Sequence, residues 1–345
     1  MGKSLAQITA LVVATIPSFA SAHEAYVLDH ATILRDIATT SPNPFTAYTG
    51  NEFDFFFWGA ISAITVLAIL FSSFFHSFEQ KLTPLFFRLK RLAHPMVRLT
   101  CGVCLIASGL FASLFGPELP FSDIFGSGAM LMQTIFVGLG ILVLLGLYTR
   151  YVAMVMLGFF AYAVSVDGSY LLTYANYFGE FLLLLILGSG RWSLDRSFAL
   201  GHLPDGLRYA AHQMEHLAFP LMRVFFGFSV MYAAIFAKFI HSQLALDVVT
   251  RYHLSTYFPF DPLFVVLGAL IIEFLAGLFL IIGFEIRWVC LFLIFWLTLS
   301  LLYFGEAVWP HLVLFGLGLA LFFHGYDRYS LEGYFLKKHG AEPVL

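Results

Sequence analysis

Residues 92–102 read LAHPMVRLTCG and residues 217–227 read LAFPLMRVFFG, with five of the eleven positions identical. Two further matches follow in the same order. GILVLLGLYTR, ending at Arg150, returns as GLFLIIGFEIR, ending at Arg287, and GRWSLD at 190–195 returns as DRYSLE at 327–332. The spacings agree as well. Arg150 to Arg191 and Arg287 to Arg328 are both 41 residues, while Arg98 to Arg150 is 52 and Arg223 to Arg287 is 64. The second copy therefore carries 12 extra residues, which fit between Ile240 and Pro262. A repeat kept over this distance predicts one supersecondary unit built twice.

The surrounding composition says what solvent that unit meets. Of 345 residues, 60% are hydrophobic and 18% aromatic, 41 of them Phe, and mean hydropathy is +0.86. Charged residues make up 11%, against roughly 25% in a soluble domain. With a net charge of −3 and no basic block, a soluble enzyme, a disordered chain and a nucleic-acid binder are excluded. Three Cys cannot form a disulfide framework, so stability must come from helix packing in lipid.

Lys3, the apolar run from Ile8 to Ile16, Pro17 and then Ala20-Ser21-Ala22 read as a cleavable secretory signal, 1–22. Cleavage after Ala22 makes His23 the mature N-terminus, and the polar segment 23–54 an exported arm. Nine apolar stretches follow, at 55–76, 97–116, 128–148, 150–167, 174–189, 219–240, 262–284, 287–304 and 309–325. Each approaches the roughly 17–25 residues that cross a bilayer as a helix. With the mature N-terminus outside, 14 of the 17 basic residues left after signal removal fall on the inner side, among them Arg98, Arg150, Arg191, Arg223, Arg287 and Arg328. Only Arg35, Lys238 and Arg251 do not. The positive-inside rule then places the C-terminus in the cytoplasm and the chain in a bacterial-type inner membrane.

The expected fold is all-α: a leading helix with a basic inner loop (55–91), two four-helix units (92–200 and 201–335) and an inner tail (336–345). Each unit starts and ends inside, so the repeats run parallel rather than inverted.

These landmarks resemble the DoxX family of small four-helix membrane proteins. In that family an early Arg and Gly open the first helix, a Lys follows, a Glu precedes a Gly-containing run ending in GLLTR, and a GRYSLD-like motif closes the unit. The second copy carries the whole set: Arg223, Gly227, Lys238, EFLAGLFLIIGFEIR from Glu273, and DRYSLE. The first keeps Arg98, Gly102, GLYTR and GRWSLD but has Ser113 and Phe136 where the Lys and Glu would stand. The resemblance spans roughly residues 92–335. It implies a membrane subunit or anchor linked to redox chemistry, with quinone and an oxidoreductase subunit as partners, since some DoxX-like proteins are associated with thiosulfate:quinone oxidoreduction and oxidant defence.

Lys238 and Glu273 are the sharpest intramembrane signal. Lys238 lies 15 residues from Arg223 and Glu273 lies 14 from Arg287, so both stand ~21–23 Å above the inner landmarks. Charges in lipid need partners, so these two read either as a polar ligand site or as a structural ion pair. Asp167, Asn176 and Glu180 of the first unit, with Glu306, His311, His241 and His253 of the second, are expected on a polar outer rim. Glu180, Glu306 and His311 join the pair as candidate ligand contacts.

A second reading is a non-enzymatic protein that binds copper on the exported face through His23 and His30, since imidazole suits copper. Cys101-Gly-Val-Cys104 lies on a spanning helix, where small packing residues are the simpler reading than a redox pair. His212 and His216, at i and i+4, read as headgroup contacts of a membrane-surface helix. GPELPF at 116–121 reads as an outer turn. No HExxH, P-loop or nucleophile elbow occurs.

Overall fold

A computed structural model describes residue 28 and residues 30–71, 73–201, 203–305 and 307–334. The signal segment 1–22, His23, Glu306 and the tail 336–345 lie outside the described residues. Twelve helices carry the argument. They are α1 (His30–Ala38), α2 (Glu52–Phe71), α3 (Ser73–Phe111), α4 (Ala129–Leu145), α5 (Thr149–Asp167) and α6 (Ala175–Leu187). Then come α7 (Asp205–Met214), α8 (Ala218–Ile235), α9 (Ser242–Arg251), α10 (Pro262–Ile282), α11 (Ile286–Phe304) and α12 (Val308–His324). Among the described residues there is no β-strand, only an isolated bridge between Ser113 and Pro120. Six helical segments there are long and apolar enough to cross a bilayer, and Val308–His324 is a shorter apolar helix. Continuous apolar runs favour helices in lipid because a helix satisfies its own backbone.

The basic end of the segment 55–91, expected as an inner loop, is instead part of α3, a helix of 39 residues that runs through Pro84 and Pro95. At 1.5 Å per residue α3 is about 58 Å long, more than a bilayer is thick. Its N-terminal half is held by side chains: Phe86 is buried, edge-on to Phe322, with the Arg287 guanidinium 4.2 Å above its ring. The 12-residue insertion is not a bare loop either. It folds as α9, which the N-terminal arm grips through Arg35 to Asp247 at 2.7 Å and Ser242 Oγ to the Pro42 carbonyl.

Residues that match between the sequence segments 92–200 and 201–335 make matching contacts. α3 packs on α4 where Gly102 faces Gly140, and α8 on α10 where Gly227 faces Gly277. A Cβ on Gly227 would lie 2.6 Å from the Gly277 carbonyl oxygen, so only backbones fit there. α4 ends on Gly146 (φ 66) and α10 on Gly283 (φ 71), both left-handed caps. The tight turn after each is closed by the acid of the last motif. Asp195 accepts from the Tyr148 N–H at 2.8 Å, and Glu332 from the Ile286 N–H at 3.2 Å.

The arginines make the same point. Arg98 donates to the carbonyls of Ser189, Arg191 and Trp192, and Arg223 to those of Leu280 and Ile281 and to Asp327. Arg98, Arg223 and Arg287 are buried. They clasp helix ends rather than facing headgroups as a purely electrostatic reading of inner charge would have them.

Across the units, α6 packs on α8 and α12 on α3. A helix from each of the segments 92–200 and 201–335 thus closes on a helix of the other. α3, α6, α8 and α12 form the centre of the molecule.

Candidate functional site

The last turn of α8 widens into a π turn, Phe236–Ile240, before α9 begins. A π turn adds a residue to the helical circuit, and such turns recur at functional sites. It carries Lys238, whose Nζ lies 2.8 Å from Glu273 Oε2 on α10. Trp296 of α11 donates its indole N–H to the other carboxylate oxygen at 3.2 Å. Three helices of the second unit therefore meet at one carboxylate. The Lys238 side chain is 8% exposed and that of Glu273 16%. Glu273's neighbours Ile272 and Leu275 are 42% and 39% exposed, so the carboxylate sits at the edge of the outward apolar face of α10.

No known family model, curated protein or solved structure matches this chain. The site must be read from its own chemistry.

The polar residues expected on one rim separate in the structure. Asp167 is exposed at the end of α5, and His253 is exposed beyond α9. His241 closes the π turn with its ring 4.7 Å from that of Phe236. Glu180 and His311 are corrections. Each lies in the second turn of its helix, facing the central packing, and is buried at 0% and 2% exposure. The His311 ring is tied to its own helix through Nδ1 and the Ala307 carbonyl oxygen, 2.9 Å apart. A helix that starts at the rim turns its i and i+4 positions to the same neighbour, so Asn176 and Glu180 both enter the core. Asn176 accepts from Ser229 Oγ of α8 at 2.9 Å.

His30 opens α1, while His23 falls outside the described residues. Among the described residues no group of three or more His, Cys, Asp or Glu is arranged to hold a metal ion. Cys101 and Cys104 are buried free thiols on α3, and Cys104 donates to the Trp309 carbonyl at 3.3 Å. His212 lies 3.1 Å from Glu215 on the exposed side of α7.

One polar centre was invisible to the motif reading. In the turn between α3 and α4, Glu118 accepts from the phenols of Tyr170, at 3.1 Å, and Tyr174. Burial pushes its carboxyl up from the ordinary 4.5 to about 7, against the pull of those phenols. The sequence signal was present: a lone acid in an apolar turn, with tyrosines four residues apart at 170 and 174.

Proposed function

We propose that this is a DoxX-like integral membrane protein made of two tandem four-helix units after a leading helix, α2. On this reading it has nine spanning helices, counting α2, α5, α6 and α12 as separate crossings. Its mature N-terminus is exported and its C-terminus cytoplasmic, in an inner membrane. The paired glycine contacts, the matched turns and the matched arginine clasps support the duplication.

The function we infer is that of a quinone-associated membrane subunit or anchor of an oxidoreductase system. One observation carries it: an acid–base pair with an indole, present in the second unit only, at the edge of an apolar helix face. A quinone headgroup is a lipid-soluble ligand with two carbonyl oxygens and a flat ring, and it would reach this edge sideways from the bilayer. Lys238 would orient a carbonyl, Glu273 would receive or return a quinol proton, and Trp296 would offer a ring face beside them. The electron chemistry would belong to the quinone.

Purification of the full chain from native membranes with lipid extraction tests the reading. Expected are co-purifying quinone, its displacement by a soluble short-chain analogue, and at least tenfold weaker retention in W296F and E273Q that keep the wild-type melting profile. Absence of bound quinone, or equal retention in folded variants, overturns it.

A further inference from the structure

Glu180 has no part in the site above. It lies on α6 at the seam where the two units meet, fully buried, and neither carboxyl oxygen has a nitrogen or oxygen hydrogen-bond partner. The Cys101 thiol of α3 lies against it, with Cys104 and Tyr177 next along the same seam. Of the other buried polar atoms in this condition among the described residues, two lie on these two helices on the rim side of the cluster. Asn176 Nδ2 stands one turn from Glu180 towards the rim, and Ser108 Oγ stands one turn beyond Cys104 on α3. Cys101, Cys104 and Ser108, at i, i+3 and i+7, share one face of α3, as Asn176 and Glu180 share one face of α6.

Native interiors leave few polar atoms unsatisfied, and each exception calls for a reason such as a bound water, an ion or a catalytic role. Four of the nine such atoms among the described residues gather on these two stripes, in a core otherwise filled by Phe, Leu and Met. The carboxyl has no ion-pair partner among the described residues, so a bare charge would be very costly here. A carboxyl in such a place is stable when it carries a proton, and unsatisfied amide and hydroxyl groups beside it are the partners a water would take. At 1.5 Å per residue, Glu180 stands ~8 Å from the start of α6 at Ala175 and ~11 Å from its end at Leu187, so the shorter route out runs past Asn176.

We propose that the seam between the two units is a proton site: Glu180 takes up a proton from water reaching it from the rim past Asn176, and releases it by the same way. The step is an exchange, carboxylate plus hydronium giving carboxylic acid plus water, with no other reactant. The groups facing Glu180 are Cys101 and Cys104 from α3 and Tyr177 on α6 itself. Ser229 of α8 holds the neighbouring Asn176, and the stretch of α12 nearest Cys104, Trp309 to Val313, brings one titratable group, the buried His311, whose Nδ1 is tied to the Ala307 carbonyl oxygen.

Infrared spectroscopy of the full-length protein in lipid tests this without any assigned ligand, with deuterium as the probe. The wild type should show a carboxylic-acid stretch that shifts in D2O within minutes. E180Q should lose it, and N176L should slow the exchange at least tenfold. C101A, which removes only the thiol against the carboxyl, should displace the band, so the assignment stands even where E180Q does not fold. A wild type with no such band, a band unchanged in both E180Q and C101A, or a band that does not exchange would overturn the proposal. A failure at Lys238–Glu273 would leave these results unchanged, because the two sites share no residue.

Discussion

Lys238 is the residue whose partner is hardest to replace. Its ammonium and the Glu273 carboxylate are almost fully withdrawn from solvent at 2.8 Å, with Trp296 on the second oxygen. Removing one member of such a pair strands the other charge, which costs about 3–5 kcal/mol, whereas removing both together is often close to neutral. K238M alone should therefore lower the melting temperature of the detergent-solubilised protein sharply. K238M/E273M should recover most of that loss. Additive losses in the double variant would mean that the two groups do not act as a pair. Glu118 gives the residue-scale pH dependence. Its carboxyl is raised from 4.5 to about 7 by burial, so the fold holds the protonated form more tightly than the unfolded chain does. The sign follows: stability falls as pH rises from 4.5 towards about 7, and the loss levels off above that. Melting curves recorded across this range should show that slope in the wild type and a weaker one in E118Q.

At the scale of elements, the glycines that end helices and the acids that close the following turns were legible because they are local. Gly146 and Gly283 end their helices, and Asp195 and Glu332 cap the turns that follow. What was not legible came from the other unit. Glu180 reads as a rim residue when α6 is taken alone, and it becomes a core residue because α6 closes on α8 and meets α3. The basic end of the segment 55–91 reads as a loop by charge, yet it is helical because Phe86 finds Phe322 and Arg287, more than 200 residues away in sequence. The glycine contacts allow a test inside one helix. G277A would press a methyl into the Gly227 backbone and Met231, and an overpacked site of this kind costs about 1–3 kcal/mol. G268A on the same helix meets nothing within 4 Å and should be neutral or slightly stabilising. Equal melting temperatures for the two variants would contradict the close α8–α10 packing.

At the scale of the whole molecule, the exchange of last helices makes the two units interdependent. α12 covers Cys104 and Thr100 of α3, and α6 covers Met222 and Phe225 of α8, so each unit alone would expose the surface that the other buries. The cysteines report on this without perturbing it. Cys101 and Cys104 lie on α3 where α12 covers it, Cys290 lies in the second turn of α11, and all three have 0% exposure. A thiol inside packed helices is unreactive because reagent and base are both excluded. The intact protein in mild detergent should therefore take up almost no maleimide over an hour, and three labels per chain after denaturation in SDS. Co-expressed halves split between residues 200 and 201 should associate and protect Cys101 and Cys104 as the intact chain does, because the seam, not the connecting segment, holds the units together. Expressed alone, the first half should label at Cys101 and Cys104 many times faster, since α12 is no longer there to cover α3. Equal protection in the isolated first half would mean that the units fold independently, and that the closing of each last helix on the other unit's first helix contributes little to the stability of the whole.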